Sequence, residues 1–316
     1  AHVETDSLLA ALQARWIAPS YGGDPIRNPD ALPTGRNMYG FDPSRVPTKA
    51  AYTAGIQALD ELLLSHQLTE KETPSKLAFT MWSTETMRHL GMLEAQIFAA
   101  LGVKPVWDRG GRVIDLELIP LSELGRARID TVISLTGLYR DQFPNLIERF
   151  NQAIVMVAEQ DEPAAMNPIR ANTRQVLQRL LELGYPEDQA HNLALTRVFG
   201  TESGDYGTQL PEATLASDKW EADDNQLAEL YLSRMSWAYG PDPSQWSQKP
   251  AAINGQVLNL YAEQLKGTQA AVFSRSSNLR GLLDTDHPFE YLGGISLAVQ
   301  HLAGAAPHLY ISNLRD

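Results

Sequence analysis

Three stretches of the chain combine residue types and spacings that could do chemistry. In Trp82-Ser83-Thr84-Glu85-Thr86-Met87-Arg88-His89, Glu85 and His89 stand four apart. On a helix that spacing puts a carboxylate and an imidazole on one face, where they could ligate a metal or relay a proton. The same residues also fit a helix N-terminal cap followed by a solvated Glu–His pair. In Asp284-Thr285-Asp286-His287-Pro288-Phe289-Glu290, two carboxylates and the imidazole of His287 fall within four residues. They suit a hard-metal or general-base group, or else a turn with an Asp N-cap. The third stretch is Pro33-Thr34-Gly35-Arg36-Asn37-Met38-Tyr39-Gly40-Phe41-Asp42. Its glycines allow the backbone to approach a ligand and Arg36 and Asn37 offer planar, directional donors; a loop pinned by its own side chains is the alternative. His2, His66, His191, His301 and His308 have no comparable company and read as structural or surface residues.

Other chemistries are excluded by what the sequence lacks. With no cysteine among 316 residues, disulfides, thiolate catalysis, iron–sulfur clusters and cysteine zinc sites drop out. Neither Gly-x-Gly-x-x-Gly nor the phosphate-cradling P-loop pattern occurs, nor Gly-x-Ser-x-Gly, nor His-Glu-x-x-His. Nucleotide and serine hydrolases are therefore disfavoured, and any use of ATP would need a partner chain. Lys plus Arg is 26 against 38 for Asp plus Glu, a net charge of −12, which repels phosphate backbones and argues against nucleic acid as partner. Hydrophobic residues at 43% and charged residues at 20% fit a globular protein with a sizeable core. No apolar run approaches the roughly 18 residues that span a bilayer. The opening Ala1-His2-Val3-Glu4-Thr5-Asp6 has neither a signal-peptide pattern nor an initiator Met; it is expected to be an internal cut.

The elements that must position these groups follow an α/β rhythm. A short helix is expected over 5–16, then an irregular segment over 19–48 with six prolines and four glycines, then a helix over 48–66 capped by Thr48. Strands are expected at 76–82, 103–107, 129–135, 270–274 and 308–311, and an extended arm at 112–121. Helices are expected at 87–101, stopped by Gly102, at 143–160 and at 290–303. Residues 170–240 read as mostly helical, with Asn172 capping one helix and Pro186 opening the next. Strands alternating with helices predict a Rossmann- or flavodoxin-like parallel sheet. Residues 1–72 form a helix and irregular arm in this reading, and 73–316 form the α/β domain with a helical insertion at about 165–265. In such sheets ligands bind beyond the carboxyl ends of the strands, so stretches 82–86, 108–112, 136–141 and 275–280 are expected to converge there.

A family resemblance goes further than these residues alone. The run Gly22-Gly23-Asp24-Pro25, Asn28-Pro29 and Leu32-Pro33-Thr34-Gly35-Arg36-Asn37-Met38-Tyr39-Gly40-Phe41-Asp42-Pro43 resembles the cobaltochelatase large subunit. So do Trp82-Ser83-Thr84-Glu85, Leu101-Gly102-Val103-Lys104-Pro105-Val106-Trp107-Asp108, Gly137-Leu138-Tyr139-Arg140-Asp141, Arg197-Val198-Phe199-Gly200 and Gly204-Asp205-Tyr206-Gly207. The similarity is collinear over nearly the whole chain, and the magnesium-chelatase large subunit is a more distant relative by the same motifs.

The resemblance implies a subunit that binds a tetrapyrrole and a divalent metal, with cobalt expected and iron or magnesium as alternatives. Separate AAA-type ATPase subunits would supply ATP-driven work, and the remainder of the same large subunit would be a partner. It implies catalytic roles for Glu85, His89 and His287, and a metal group of His287, Asp284 and Asp286. The substrate-binding residues implied are Arg36, Asn37, Arg109, Tyr139, Arg140, Asn278 and Arg280. A further His- and Gly-rich motif of the family precedes the matching segment and is absent here, so part of the implied site is expected elsewhere in a longer subunit. The stretch Ser274-Arg275-Ser276-Ser277-Asn278-Leu279-Arg280 departs from the Asn-Arg-Glu-His of the cobalt branch and resembles a side branch that removes iron from haem; a non-catalytic docking module is the third possibility. A cytoplasmic location is expected, with an exported or anchored full-length form left open.

Overall fold

The computed structural model describes residues 2–21, 32–39, 41–216, 218, 225–253, 255–276 and 287–313. It divides into two compact units, Ala1–Pro43 and Ser44–Asp316. In the smaller, a helix spans His2–Leu12 and two short strands, β1 (Pro19–Tyr21) and β2 (Asn37–Tyr39), pair in parallel. Helix Lys49–Glu70, grouped above with the arm, belongs to the larger unit and packs on helix Met92–Leu101. Thr48 caps it as expected, accepting the Ala51 N–H.

The larger unit is built on a six-stranded sheet in the order β10-β9-β3-β6-β7-β8. Its strands are β3 (Lys76–Met81), β6 (Asp130–Leu135), β7 (Val198–Gly200), β8 (Trp237–Ala238), β9 (Ala270–Arg275) and β10 (His308–Asn313). All are parallel except β8, which runs against β7. Every residue of β3 and β6 is buried, as helices on both faces require. Two strands fall inside the stretch predicted to be a helical insertion: β7 and β8 extend the sheet beyond β6. Asn172 is not a cap. Asn167 caps helix Pro168–Leu183, and Asn172, inside it, donates to Asp130 Oδ2 at 2.7 Å.

The strand predicted at 103–107 exists but lies outside this sheet. As β4 (Val103–Trp107) it pairs antiparallel with β5 (Val113–Leu118) in a separate hairpin. The polar–apolar alternation over 112–121 was the signal of a second hairpin strand. Stretch 108–112 is therefore a hairpin turn, not a loop at the carboxyl edge of the main sheet.

From β3 the chain adds β6, β7 and β8 on one side and then returns to add β9 and β10 on the other. The direction reverses between β3 and β9. That is the topological switch point, where open α/β sheets bind ligands. The loops at its two lips are those following Met81 and Arg275.

The opposite, amino edge is tied by a buried ionic network. Asp130 at the start of β6 takes Arg197 Nε at 2.9 Å and Lys76 Nζ, from the start of β3, at 3.8 Å. Arg197 is fully buried and also donates to the Ala194 carbonyl at 2.7 Å and Thr173 Oγ1 at 3.0 Å. Burial pushes the Asp130 carboxyl up, but Arg197, Lys76 and their hydrogen bonds outweigh it and hold it below its ordinary value. Burial pulls the Lys76 ammonium down to about 8, against the attraction of Asp130. Removing one partner of such a network leaves a buried charge uncompensated, so Arg197→Ala is expected to lose about 3–5 kcal/mol in denaturant unfolding. A loss under about 1 kcal/mol, the scale of a surface ion pair, would show that the network does not hold the amino edge.

Candidate functional site

Trp82 follows β3 and opens helix Ser83–His89, which buries Ser83, Glu85, Thr86 and His89. The Glu85 side chain is pinned on one side only. Its Oε1 accepts from Arg88 Nη1 at 3.0 Å, whereas its buried Oε2 has no hydrogen-bond partner among the described residues. A carboxylate oxygen kept from water without a donor is costly. At the switch point it is placed to meet a cation or an N–H.

His89 is held differently. The helix predicted over 87–101 is broken, and a second helix begins at Met92. Leu90 and Gly91 both take positive φ, 55° and 94°. A Cβ at Gly91 would lie 2.5 Å from Val46 Cγ1, so glycine alone fits there. The His89 ring fills the break: Nδ1 accepts the N–H groups of Gly91 at 3.2 Å and Met92 at 3.0 Å. A nitrogen that accepts two amide donors carries no proton, so the neutral ring bears its hydrogen on Nε2. That nitrogen lies 3.4 Å from Ser274 Oγ on β9. His89 thus holds the helix break with Nδ1, while Nε2 faces Ser274 Oγ across the switch point.

The imidazole of His287 reaches the same place from the other lip. It packs against the Trp82 indole with centroids 4.0 Å apart and the rings tilted by 52°, and Trp82 also meets Tyr291 at 6.0 Å and Phe273 at 6.4 Å. His287 Nδ1 lies 3.7 Å from Glu290 Oε2, while Glu290 Oε1 accepts from the Thr208 N–H and hydroxyl. Glu290 closes the run from Asp284 but has no role in the sequence reading; its i, i+3 spacing from His287 was the available signal. A π-helical turn over Pro288–Gly293 begins here, a feature that recurs at functional sites. Asp284, Asp286, Asn278 and Arg280 lie outside the described residues. Among the described residues, no three His, Asp or Glu side chains group closely enough to hold a metal ion.

The remaining predicted residues are not brought together. Tyr139 is fully buried and donates its hydroxyl to Glu94 Oε1 at 3.0 Å. Arg140 is buried too; it bonds Asp141 at 2.7 Å and the carbonyls of Thr201, Glu202 and Asp205. The partners of both side chains lie within the protein. Arg109 is exposed in the hairpin turn, and Arg36 is exposed in the smaller unit with Asn37 beside it in β2. A hollow of about 430 Å³ on helix Pro144–Ala158, lined by Gln152, Met156 and Pro241 among others, holds none of the candidate groups.

Sequence reading missed Glu94. It is fully buried, accepts from Thr86 Oγ1 at 2.6 Å as well as from Tyr139, and so braces the helix that carries Glu85. Nothing in an apolar helix pattern marks one glutamate as internal. Burial raises its carboxyl above the ordinary range, against the pull of its hydrogen bonds. A carboxyl with a raised folded pKa stabilises the fold fully below its unfolded pKa, and that stability is lost as pH rises through the folded value. Glu94→Gln, which cannot ionise, is expected to flatten the decline of Tm with pH across that window. An unchanged slope in a pH series of thermal melts would show that Glu94 is ionised in the fold.

A mostly parallel sheet with a bare carboxylate oxygen and two imidazoles at its switch point makes this an α/β domain whose candidate groups lie where such sheets take ligands. The profile of the CobN/Magnesium Chelatase family matches residues 1–316. The chain belongs to this family. It is 36% identical over 309 residues to the aerobic cobaltochelatase subunit CobN of Sinorhizobium sp, covering 97% of this chain and 23% of that protein. It is 35% identical over 313 residues to the chloroplastic magnesium-chelatase subunit ChlH of Oryza sativa subsp. indica, covering 98% of this chain and 21% of that one. The catalytic subunit of cobaltochelatase from Mycobacterium tuberculosis superposes with a TM-score of 0.82 at 34% identity, over 98% of this chain and 25% of that structure. The chain thus spans between a fifth and a quarter of the length of these relatives.

Proposed function

We propose that this chain is the switch-point portion of the tetrapyrrole-binding catalytic subunit of a metal chelatase, one that inserts cobalt into a corrin precursor. AAA-type ATPase subunits would drive it, and the rest of the same large subunit would complete the site. The observation that carries this reading is Glu85, whose second carboxylate oxygen is buried at the switch point without a hydrogen-bond partner among the described residues.

Inserting a divalent ion into a tetrapyrrole requires the inner N–H protons to leave, the ion to shed water and the ring to deform. Glu85 supplies a base, or a passing oxygen ligand for the incoming ion. His89, whose Nδ1 fixes the end of the helix that carries Glu85, would act beside it. His287, packed against Trp82 and facing Glu290, takes a proton onward. ATP enters through partner subunits, because the chain has no phosphate-binding loop. No helix among the described residues is long and apolar enough to cross a membrane.

Relatives of similar identity include both cobalt and magnesium chelatase subunits. The stretch from Ser274 to His287, which departs from the cobalt-branch pattern, favours a second reading, removal of iron from haem. Titration of the full-length protein with hydrogenobyrinic diamide and with haem, followed by absorbance, separates the two. Binding of haem alone would reject cobalt insertion. In full-length protein with its ATPase partners, Glu85→Gln is expected to lower turnover about 10²-fold or more, the usual scale for losing a general base. Tetrapyrrole affinity should change little. His287→Ala should behave in the same way, and unchanged turnover in either variant would remove that residue from the chemistry.

A further inference from the structure

The loop that follows β7 crosses the carboxyl edge and ends at Thr208, where Glu290 holds it. From this loop Tyr206 projects with 57% of its surface exposed. An exposed tyrosine is ordinarily free to turn, and immobilising a side chain costs entropy. This one is fixed on three sides. Its hydroxyl donates to Asp141 Oδ2 at 2.6 Å. The Arg140 guanidinium lies 5.5 Å from its ring centroid. One edge of its ring rests on Gly137, where an added Cβ would come within 2.5 Å of Tyr206 Cδ1.

The clamp and the loop are one construction. Asp141 Oδ1 accepts from Arg140 Nε at 2.7 Å, and Arg140 Nη1 reaches the carbonyls of Thr201, Glu202 and Asp205 in the same loop. A buried arginine, a carboxylate and a glycine thus hold an aromatic ring that remains open to solvent. Burial of the ring does not repay that cost, since most of it stays in water. A ligand with a flat apolar face would.

The position agrees. Gly137 follows Thr136 after the end of β6, the strand paired with β3, so Tyr206 rests beside the strand end that neighbours, at a strand spacing of ~4.8 Å, the β3 end from which Trp82 and Glu85 follow. A macrocycle whose centre faces Glu85 extends over the neighbouring strand end.

We propose that Tyr206 is a substrate-binding residue, a preset stacking platform for the planar face of the tetrapyrrole. The inference rests on the tetrapyrrole reading above and adds a residue to it. In the full-length protein, Tyr206→Leu removes the ring and is expected to weaken binding of hydrogenobyrinic diamide or haem, whichever the wild type binds, about tenfold, the scale of one aromatic contact. KM should rise by a similar factor with kcat unchanged, the pattern of lost uniform binding. Tyr206→Phe keeps the ring and should restore affinity to within about threefold. The exposed position predicts an unchanged Tm for both. Wild-type affinity and KM in Tyr206→Leu would overturn the platform while leaving the tetrapyrrole reading intact. Binding of neither tetrapyrrole by the wild type would overturn both.

Discussion

Asp130 is the residue on which the rest of the sheet depends. It is the first residue of β6, it has no access to solvent, and it takes an arginine from the start of β7, a lysine from the start of β3 and an asparagine from helix Pro168–Leu183. Three strands and a flanking helix are thereby joined at their amino ends through charge. A buried carboxylate tolerates little displacement of its partners, because attraction in a low-dielectric interior falls steeply once contact is lost and desolvation is left unopposed. The amino edge is held together by charge, and the fold has its fixed point there.

The carboxyl edge has the opposite character. Glu85 Oε2, Glu94 Oε2, the Trp82 indole nitrogen and Arg140 Nη2 are buried without hydrogen-bond partners among the described residues. All four belong to elements that begin where β3 and β6 end or pack directly behind them. Unsatisfied polar groups at this edge store free energy that a ligand can release. The rigid amino edge lets the carboxyl edge carry this without losing order, as expected where a scaffold holds a site in readiness.

The parallel sheet, the strands β3, β6, β9 and β10 and most helix ends followed from period, capping residues and glycine stops, because those signals are local. What could not be read depends on which neighbour a segment meets. The pattern of 103–107 says strand but cannot say that its partner is 113–118, and so Arg109 was carried to the wrong edge. Tyr139 and Arg140 follow a strand end, where ligand contacts are expected, yet the short helix Gly137–Gln142 turns both inward. His89 lay at the right place; its protonation was hidden because the amides of Gly91 and Met92 become donors to it only when the helix breaks. Glu94 and Tyr206 differ from an ordinary helix glutamate and an ordinary surface tyrosine only through partners eight and 65 positions away.

The break at Leu90–Gly91 has a consequence for how this region can change over time. In one continuous helix the azimuth of Glu85 would be locked to that of every later residue, at about 100° per position, so an insertion or deletion in the packing helix would swing the carboxylate away from the switch point. Here the direction of Glu85 is set by Trp82 and by two left-handed residues. Helix Met92–Leu101, buried at every position from Leu93 onward, answers to the packing around it and meets the first segment through the Glu94–Thr86 hydrogen bond. The segment that bears Glu85 and the segment that fills the core are thus separate units of heritable change, joined by a hinge of two residues and tied across it by that bond. Substitutions that spare this tie can retune one while the aim of the other is kept.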